Sequence, residues 1–547
     1  MSIDVNSDIT LLLPLVGTTQ AVLKRLEKGT GSLTFIRATT ATRRNPDTNL
    51  IEAVASGDLR EDGRQYLNRL YYSEDFSQSN WAKSNVTVGS DNATAPNGKA
   101  VAQAITASVA NGTCLQAVVD ISAARYGSIY LKRKTGSGNI QVTLDGGSTW
   151  TTVAVTGEWV RLGAGQTLAN PSFGIRIVTS GDAVYAWGAQ LEDATAATRY
   201  KKSGSSPAYA PLGALIEGQR TNLTTYSEQL DNGAWNKSAW PVTITSNSAV
   251  APDGTQTADT ITGTASATYH APYTSPACSA GVTYTISAFL KKVNQRYVNL
   301  GDQGDVSGHM ICFDFDTAAI VGVQNVLRYS AAANGNGWYR VSVTFIRTNG
   351  GTLYLTIGCA QSPAIYEWFD ASGVSYYAWG AQAEAGTFPS SYIPTTSAAV
   401  TRNADELTVP ASGNISDTLG TVFAEFDSIH NTSSNDGVIG SASGNSRPLQ
   451  SLNNTTMACF DGTSSLQITT ASFLNSLIKA SAKWSGSSMA IISGAVSNVG
   501  AFDGSMGVGV SIQIGGFSGA YEKWGHIKHL ILFNRALTDA EMVALTT

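Results

Sequence analysis

YAWGAQLE at Tyr185–Glu192 returns almost unchanged as YAWGAQAE at Tyr377–Glu384. This pair closes a long internal repeat, because four other pairs of segments precede it in the same order in both copies. They are YSEDFSQSNW at Tyr72–Trp81 with YSEQLDNGAW at Tyr226–Trp235, APNG at Ala95–Gly98 with APDG at Ala251–Gly254, YLKR at Tyr130–Arg133 with FLKK at Phe289–Lys292, and WVR at Trp159–Arg161 with WYR at Trp338–Arg340. Similar segments in a fixed order indicate two copies of one structural unit.

Each copy alternates apolar and polar residues in short runs such as YTISAFLKK and WYRVSVTFI. Alternation with a period of two is typical of half-buried strands, so each copy is predicted to be an antiparallel β-sandwich, a jelly roll. The offset between the copies grows from 154 residues at the YSE motif to 192 at the WGAQ motif. The second copy therefore carries insertions, mainly after FLKK, and we expect them in loops.

The chain of 547 residues is too long for one hydrophobic core. Charged residues make up only 14% and Gly is abundant, which suits strands joined by many turns. We predict an all-β protein of tandem antiparallel β-sandwiches, and we expect the last sandwich, from about residue 400, to fold alone. The predicted parts are an N-terminal docking segment (1–66), a first jelly-roll module (67–205), a second jelly-roll module (206–396) and a C-terminal sandwich (397–547).

Charge and cysteine content exclude several classes of partner. A net charge of −5 leaves no basic field to attract nucleic acid or anionic lipid. The five cysteines are scattered and never in C-x-x-C spacing, so we interpret them as reduced, buried thiols. The N-terminus lacks the basic region of a signal peptide, and its apolar run Leu11–Val16 is too short to span a bilayer. We therefore expect synthesis in a bacterial host cytoplasm without membrane insertion.

The last residues, HIKHLILFNRALTDAEMVALT at His526–Thr546, resemble the closing strand and short helix of laminin-G and concanavalin-like sandwiches. In this segment Thr538 is the predicted N-cap and Glu541 completes a capping box. The repeated NL-x-x-YSE, WGAQ-x-E and S-x-YI-x-T patterns look like carbohydrate-binding-module-like repeats of phage tail and other virion structural proteins. The two resemblances imply a phage virion protein, a tail fibre or receptor-binding component that contacts host-surface polysaccharide.

Two other functions remain open. A capsid decoration or head-fibre protein would use the same modules. A polysaccharide-degrading enzyme with accessory binding modules would need paired carboxylates, and Glu425 and Asp427 are expected on one face of a strand. Where the third carboxylate of the concanavalin-like hydrolases would stand, this chain has His430. We therefore predict a protein that is not an enzyme and has no catalytic residues.

Aromatic residues are the candidates for binding sugar rings. Most of the eleven tryptophans, including Trp187 and Trp379, occupy matched repeat positions and are predicted to lie in the core. Trp150, Tyr366 and Trp368 have no repeat counterpart and lie beside turn residues, so they are the predicted glycan-binding residues. Truncating Trp150 or Trp368 is therefore expected to leave stability nearly unchanged. No cofactor is predicted, and only a structural calcium is left open, at Asp461 or in Gly301–Asp305.

The N-terminal segment is predicted to hold the protein on its particle. It combines the apolar strip Leu11–Val16 with the basic cluster Arg37, Arg43 and Arg44, yet it is too short to bury a core. We expect it to contact other virion proteins and to support a homotrimer, because attachment proteins occupy symmetric sites on particles.

Overall fold

The structure is a computed structural model that describes residues 9–14, 34–45, 48–62, 65–120, 122–210, 212–306, 308–429, 436–474, 476–517, 521–522 and 525–547. These residues form antiparallel sheets and one short helix, which confirms the all-β prediction. The chain divides into two compact units, Arg64–Ala210 and Met1–Gly63 together with Pro211–Thr547. We call them the first unit and the composite unit. Among the residues described, no helix is long and apolar enough to cross a membrane.

The strands fall into four groups along the chain. The N-terminal strands are β1 (Ile9–Pro14), β2 (Thr34–Ile36), β3 (Ala41–Arg44), β4 (Ile51–Val54) and β5 (Arg60–Asp62). Those of the first unit are β6 (Gln65–Asn68), β7 (Ala82–Ser84), β8 (Val86–Thr94), β9 (Ala100–Ala107), β10 (Gly112–Ala117), β11 (Ala123–Thr135), β12 (Ile140–Thr143), β13 (Thr151–Val153), β14 (Val160–Leu168), β15 (Ser172–Ile177), β16 (Ala183–Glu192) and β17 (Ala208–Ala210).

The third group contains the second jelly roll with its flanking strands. It comprises β18 (Gly213–Ile216), β19 (Arg220–Asn222), β20 (Val242–Ala249), β21 (Ala258–Gly263), β22 (Tyr273–Thr274), β23 (Ala277–Cys278), β24 (Thr283–Lys292), β25 (Tyr297–Asp302), β26 (His309–Asp314), β27 (Ala319–Gln324), β28 (Arg328–Ala333), β29 (Trp338–Ile346), β30 (Gly351–Thr352), β31 (Leu355–Ala360), β32 (Ser375–Ala385) and β33 (Val400–Arg402).

The fourth group forms the C-terminal sandwich. It comprises β34 (Glu406–Pro410), β35 (Leu419–Phe426), β36 (Asp436–Ser441), β37 (Arg447–Ser451), β38 (Thr456–Phe460), β39 (Ser465–Thr469), β40 (Ile478–Ser485), β41 (Ser488–Ser493), β42 (Val496–Ala501), β43 (Ser511–Ile514), β44 (Gly516–Phe517), β45 (Tyr521–Glu522), β46 (Gly525–Phe533) and helix α1 (Asp539–Thr546). The capping box predicted for this helix is present, with Thr538 as N-cap and Glu541 as its partner.

The first unit is a sandwich of two five-stranded sheets, in the orders β13-β12-β15-β10-β7 and β14-β11-β16-β9-β8. Alternate residues of each strand enter the core between the sheets, as the sequence pattern predicts. In β15, for example, Phe173, Ile175 and Ile177 are buried in this core. The residues between them point to the other face of the sheet, which is the face that carries the candidate site.

The second jelly roll repeats this strand order, except that β7 has no counterpart among its described strands, and adds two strands. Its sheets have the orders β22-β31-β25-β26-β27 and β20-β21-β32-β24-β29-β28. Without β27 and β28 they match β10-β15-β12-β13 and β8-β9-β16-β11-β14 strand by strand. The expectation that the insertion after FLKK lies in loops is therefore wrong for these two segments. Both are short runs of mostly uncharged residues, which pair readily at a sheet edge.

The C-terminal sandwich takes part of its strands from the N-terminal segment. Its larger sheet has the order β42-β41-β40-β35-β46-β18-β5, and β1 also pairs with β46. Its other sheet has the order β2-β34-β43-β36-β37-β38-β39. The N-terminal segment, predicted as a separate docking segment, thus supplies β1, β2 and β5 to this sandwich. Part of the apolar strip, from Leu11 to Pro14, is paired with β46.

A buried ion network joins the parts of the composite unit. Arg37 and Arg60 come from the N-terminal segment, Glu217 follows β18, and Arg402 and Asp405 flank the start of the C-terminal sandwich. Arg37 lies 2.9 Å from Asp405, and Arg60 lies 2.7 Å from Glu217 and also pairs with Asp405. All of these side chains are buried. Arg37, predicted in a basic cluster for docking, is therefore an interior residue of the fold.

The C-terminal sandwich is expected to need its N-terminal strands. A fragment of residues 400–547 lacks β2, β5 and β18, so the edges of β34 and β46 would lose their backbone partners. Contrary to the sequence-based expectation, we predict that this fragment aggregates or melts without cooperativity in a calorimeter. The first unit, residues 64–210, pairs all its described strands internally and serves as the control, which should melt cooperatively. A cooperative melt of the 400–547 fragment would contradict this prediction.

The contacts of His526 with two aspartates are expected to stabilise the composite unit, and this stabilisation is expected to be lost at high pH. Its ring nitrogens lie 3.0 Å from Asp427 and 3.3 Å from Asp62 of β5. Burial lowers the pKa of His526, but the charges and hydrogen bonds of the two aspartates outweigh burial and raise the pKa to about 10. Because the pKa in an unfolded chain is about 6.5, this stabilisation is complete below that pH and is lost as the pH rises through about 10.

The measurement is the melting temperature between pH 6 and pH 10 for the wild type and for His526→Gln. The wild type should lose more stability over this range than the variant does. His529→Gln is the matched control, since His529 is a more exposed histidine of the same strand, beside Glu425. Equal slopes for the wild type and His526→Gln would show that the Asp62–His526–Asp427 contact is not what responds to pH.

Candidate functional site

In both modules, polar residues of the repeated YSE motif contact a tyrosine near the end of the module. In the first unit Ser73 Oγ lies 2.8 Å from the hydroxyl of Tyr200, which donates to Glu74 at 3.1 Å. The same contacts, at 2.7 and 3.0 Å, recur in the second jelly roll. The residues there are Ser227, Tyr392 and Glu228. In both modules the WGAQ tryptophan packs on this tyrosine with ring centroids 4.7 Å apart. These motifs hold the start and the end of each module together, and this role accounts for their recurrence.

The acidic residues that suggested an enzyme are each beside a histidine. Glu425 lies 2.7 Å from His529, and Asp427, just beyond the end of β35, lies 3.0 Å from His526. His430, predicted at the position of a third carboxylate, lies outside the described residues. Burial raises the pKa of Glu425, but His529 and Lys528 outweigh it and lower the pKa. Both carboxylates thus have partners within the fold, and the prediction that the protein is not an enzyme stays a prediction.

In the candidate calcium loops, the carboxylates contact other groups of the protein. Asp302 pairs with Arg347 at 2.5 Å, and Asp305 lies 2.9 Å from His309. One oxygen of Asp461 accepts the backbone N–H groups of Thr463 and Ser464, as turn residues do. The described part of the chain contains no group of three or more His, Cys, Asp and Glu side chains suited to a metal ion. Structural calcium stays a prediction.

In the second jelly roll, aromatic residues cover the outer face of the sheet that contains β25 and β31. Tyr269 sits over Gly358, where a Cβ atom would come 2.0 Å from the phenol oxygen. Tyr366 packs against Tyr269 with ring centroids 4.4 Å apart, and Trp240 lies 5.4 Å from Tyr269. Neither Tyr269 nor Trp240 was predicted from the sequence. This face is therefore filled by side chains of the protein itself.

The structure places the two predicted residues of this module differently. Tyr366 is half-buried in the aromatic cluster, with a left-handed backbone (φ 61°), and its N–H donates to Asn299 at 3.1 Å. Trp368, two residues later, is 68% exposed. An indole with this exposure offers both apolar area and a polar N–H to a ligand. Trp368 is the better placed of the two for a sugar ring.

In the first unit, the corresponding sheet face carries polar side chains. Register across β7, β10, β15, β12 and β13 aligns one residue from each strand into a single row. The row is Ser84, Thr113, Arg176, Gln141 and Thr152. Each of the five is half-buried or exposed. We call this surface the polar face; its hydroxyl, amide and guanidinium groups can exchange hydrogen bonds with a polyhydroxylated ligand.

Trp150 borders the polar face and supports Arg176. The guanidinium carbon of Arg176 lies 4.4 Å from the indole centroid, a cation–π contact. Arg176 Nε donates to Gln141 Oε1 at 2.8 Å, and Gln141 in turn donates to Thr152 at 3.1 Å. The carboxylate of Asp145, in the loop before Trp150, accepts hydrogen bonds from the Thr143 hydroxyl at 2.8 Å and from the Thr149 N–H at 2.8 Å.

Burial alone would raise the pKa of Asp145, but its hydrogen bonds from Thr149 and Thr143 outweigh burial and lower the pKa to about 2. The carboxylate is therefore ionised and held within its own loop. Trp150 was predicted from the sequence, whereas Arg176 and Gln141 were not. The outward position of Arg176 could have been predicted from the alternation in SFGIRI. Phe173, Ile175 and Ile177 face the core, so Arg176 must face outward.

The fold and the polar face define a modular all-β protein with two related jelly rolls. Among solved structures, the chain is similar to the N-terminal CBM22-1-CBM22-2 tandem domain of Xyn10C from Paenibacillus barcinonensis. The sequence identity is 15% and the TM-score is 0.24, with 59% of this chain and 99% of that chain covered. No family model matches the sequence, and no curated protein matches it. A similarity of this size leaves the function to be decided by the protein's own residues.

Two tryptophans of the second jelly roll should differ sharply in their effect on stability. Trp379 is 1% exposed, so Trp379→Ala should cost about 3 to 5 kcal/mol. Trp368 is 68% exposed, so Trp368→Ala should change stability by no more than about 0.5 kcal/mol. Urea denaturation of both variants beside the wild type provides the measurement. Losses of similar size would mean that Trp368 has a packing role that its exposure does not reveal.

Proposed function

We propose that the protein is a non-enzymatic component of a phage particle that binds host-surface polysaccharide through its β-sandwich modules. A tail fibre or receptor-binding component is the form that we favour. The observation that carries the glycan-binding part is the polar face of the first unit. It is a row of five uncovered polar side chains across one sheet, bordered by Trp150.

The chemistry of the polar face suits a saccharide. Sugar hydroxyls need both donors and acceptors, and Thr113, Gln141 and Thr152 supply both. Leu115, half-buried on the same face, offers apolar area to the C–H side of a sugar ring. Protein sites that bind small polar molecules combine such apolar area with a few fixed polar groups.

Trp368 is the proposed second contact, on the composite unit. A single exposed indole gives only a weak site. Two weak sites on one chain, multiplied by several chains on one particle, raise the overall avidity by about 10²- to 10⁴-fold when both can engage. This multiplication is why shallow surfaces suffice for attachment. The homotrimer and the contacts with other virion proteins predicted from the sequence belong to the same proposal.

The test is binding of the full chain to an array of bacterial surface polysaccharides. We expect binding that falls at least tenfold, or about 1.4 kcal/mol, in Gln141→Ala and in Trp368→Ala. Thr87→Ala, on the other sheet of the first unit, is the matched control and should bind like the wild type. Binding that neither variant weakens would refute these sites, and absence of binding to every polysaccharide would refute the glycan function.

The same samples test the enzyme alternative. The chain length of each bound polysaccharide is measured by size-exclusion chromatography before and after incubation. We expect no change in length. Shortened chains would overturn the non-enzymatic part of the proposal, and loss of that activity in Glu425→Gln would assign it to the C-terminal sandwich.

A further inference from the structure

The guanidinium of Arg176 is held in place from two sides. One face stacks on Trp150, with the guanidinium carbon 4.4 Å from the ring centroid. Its Nε and Nη2 both donate to Gln141 Oε1. A guanidinium fixed in this way loses less conformational freedom when it binds a ligand than a mobile surface arginine does.

One edge of this guanidinium remains available. Within the described residues, Nη1 of Arg176 has no hydrogen-bond partner, and Nη2 uses one hydrogen of its two for Gln141. Nη1 and the second hydrogen of Nη2 form the pair of parallel donors that binds both oxygens of a carboxylate. The available edge of Arg176 is therefore of the kind that recognises a planar anion.

The strands around Arg176 contain no competing acid. The five strands of this sheet read AKS, GTCLQA, IQVT, TTV and SFGIRI, without Asp or Glu. The nearest acidic residue of the bordering loop, Asp145, is engaged by Thr143 and Thr149. The charge of Arg176 is thus not neutralised by an ion pair on its own sheet, and an anion can supply the missing partner.

The charge of the first unit differs in sign from that of the remaining chain. Residues 64–210 hold 13 Lys and Arg against nine Asp and Glu, a net charge of +4. The remaining residues hold 22 Lys and Arg against 31 Asp and Glu, a net charge of −9. A basic module in an acidic chain attracts anionic ligands to itself.

The matching position of the second jelly roll shows that the fold does not require this arginine. Arg176 pairs with Gln141 across β15 and β12, and the corresponding pair across β31 and β25 is Gly358 with Asn299. Gly358 there leaves room for Tyr269. The shared framework therefore accommodates residues other than arginine at this position.

We infer that the polar face of the first unit selects sugars that carry a carboxylate, with Arg176 as the receiving group and Trp150 as its positioning residue. The inference rests on the proposed glycan-binding function and narrows its ligand to an acidic polysaccharide. Gln141 and Thr113 would bind the hydroxyls beside the carboxylate. Trp150, whose ring supports the guanidinium, acts through Arg176.

The experiment uses the full chain and an array of acidic and neutral bacterial polysaccharides, with each acidic member also present as its methyl ester. A sulfated dextran and its unsulfated parent complete the array. We expect binding to acidic members, at least tenfold weaker binding to their esters, and weakening as salt is raised. Arg176→Gln should lower binding to the acidic member at least tenfold and should abolish the difference between acid and ester.

Variants separate the roles of the residues. Arg199→Gln removes the same charge from an exposed site after β16 in the same unit, and it should bind like the wild type. Trp150→Ala should lower binding as Arg176→Gln does, and Trp150→Phe should restore part of it, because phenylalanine keeps a ring beneath the guanidinium. A circular dichroism melt of each variant confirms folding. Equal loss in Trp150→Phe and Trp150→Ala would overturn the positioning role.

The remaining outcomes each decide one point. Equal binding of acid and ester, or binding to neutral members alone, overturns the carboxylate inference and leaves the glycan function standing. Binding to the sulfated dextran without binding to any carboxylated member assigns a different anion and also overturns it. Binding to no polysaccharide removes the glycan function together with the inference.

Discussion

The carboxylates of Glu217 and Asp405 lie in the interior of the composite unit, without exposed surface, among the guanidinium groups of Arg37, Arg60 and Arg402. Burial raises the pKa of Glu217, but Arg402 and Arg60 outweigh it, and the pKa is lowered. An unpaired charge in such a place costs several kcal/mol, so each group requires the others. These groups come from the N-terminal segment, from the residues after β18 and from the start of the C-terminal sandwich. Their pairing fixes how distant segments of chain meet.

This constraint explains which part of the fold could be predicted from the sequence. The jelly rolls were predictable because their strands are local and repeated, and the WGAQ and YSE motifs mark the same closing contacts in each copy. The helix cap at Thr538 was predictable because its partner is three residues away. The role of the N-terminal segment was not, because β2 pairs with β34 across hundreds of residues, and period-two patterns do not name a partner strand. The sequence around Arg37 likewise has no pattern that predicts a buried arginine.

The residues of the candidate site also fall into those that could be predicted from the sequence and those that could not. Trp150 and Trp368 were identified because they stand outside the repeat, and the structure leaves Trp368 exposed. Tyr366, identified by the same reasoning, lies in an aromatic cluster instead. The reason is Gly358. Because this residue has no side chain, Tyr269 can lie directly over it, and Tyr366 packs against Tyr269. No pattern within the segment around Tyr366 records a glycine on a neighbouring strand. Arg176 could have been found from alternation alone, but its contact with Trp150 depends on the loop between β12 and β13.

The two jelly rolls show how one framework can carry different surfaces. Closure by the serine, tyrosine and glutamate contacts is common to both modules, and so is the apolar core between the sheets. Stability therefore resides in positions that face inward or join the ends. The outer sheet face can therefore differ between the modules, and it holds Arg176 and Gln141 in one module and Gly358 and Asn299 in the other. Because burying the aromatic cluster contributes to packing in the second jelly roll, that face is committed to stability. The first unit leaves its face polar and uncovered, and for this reason a ligand is better sought there.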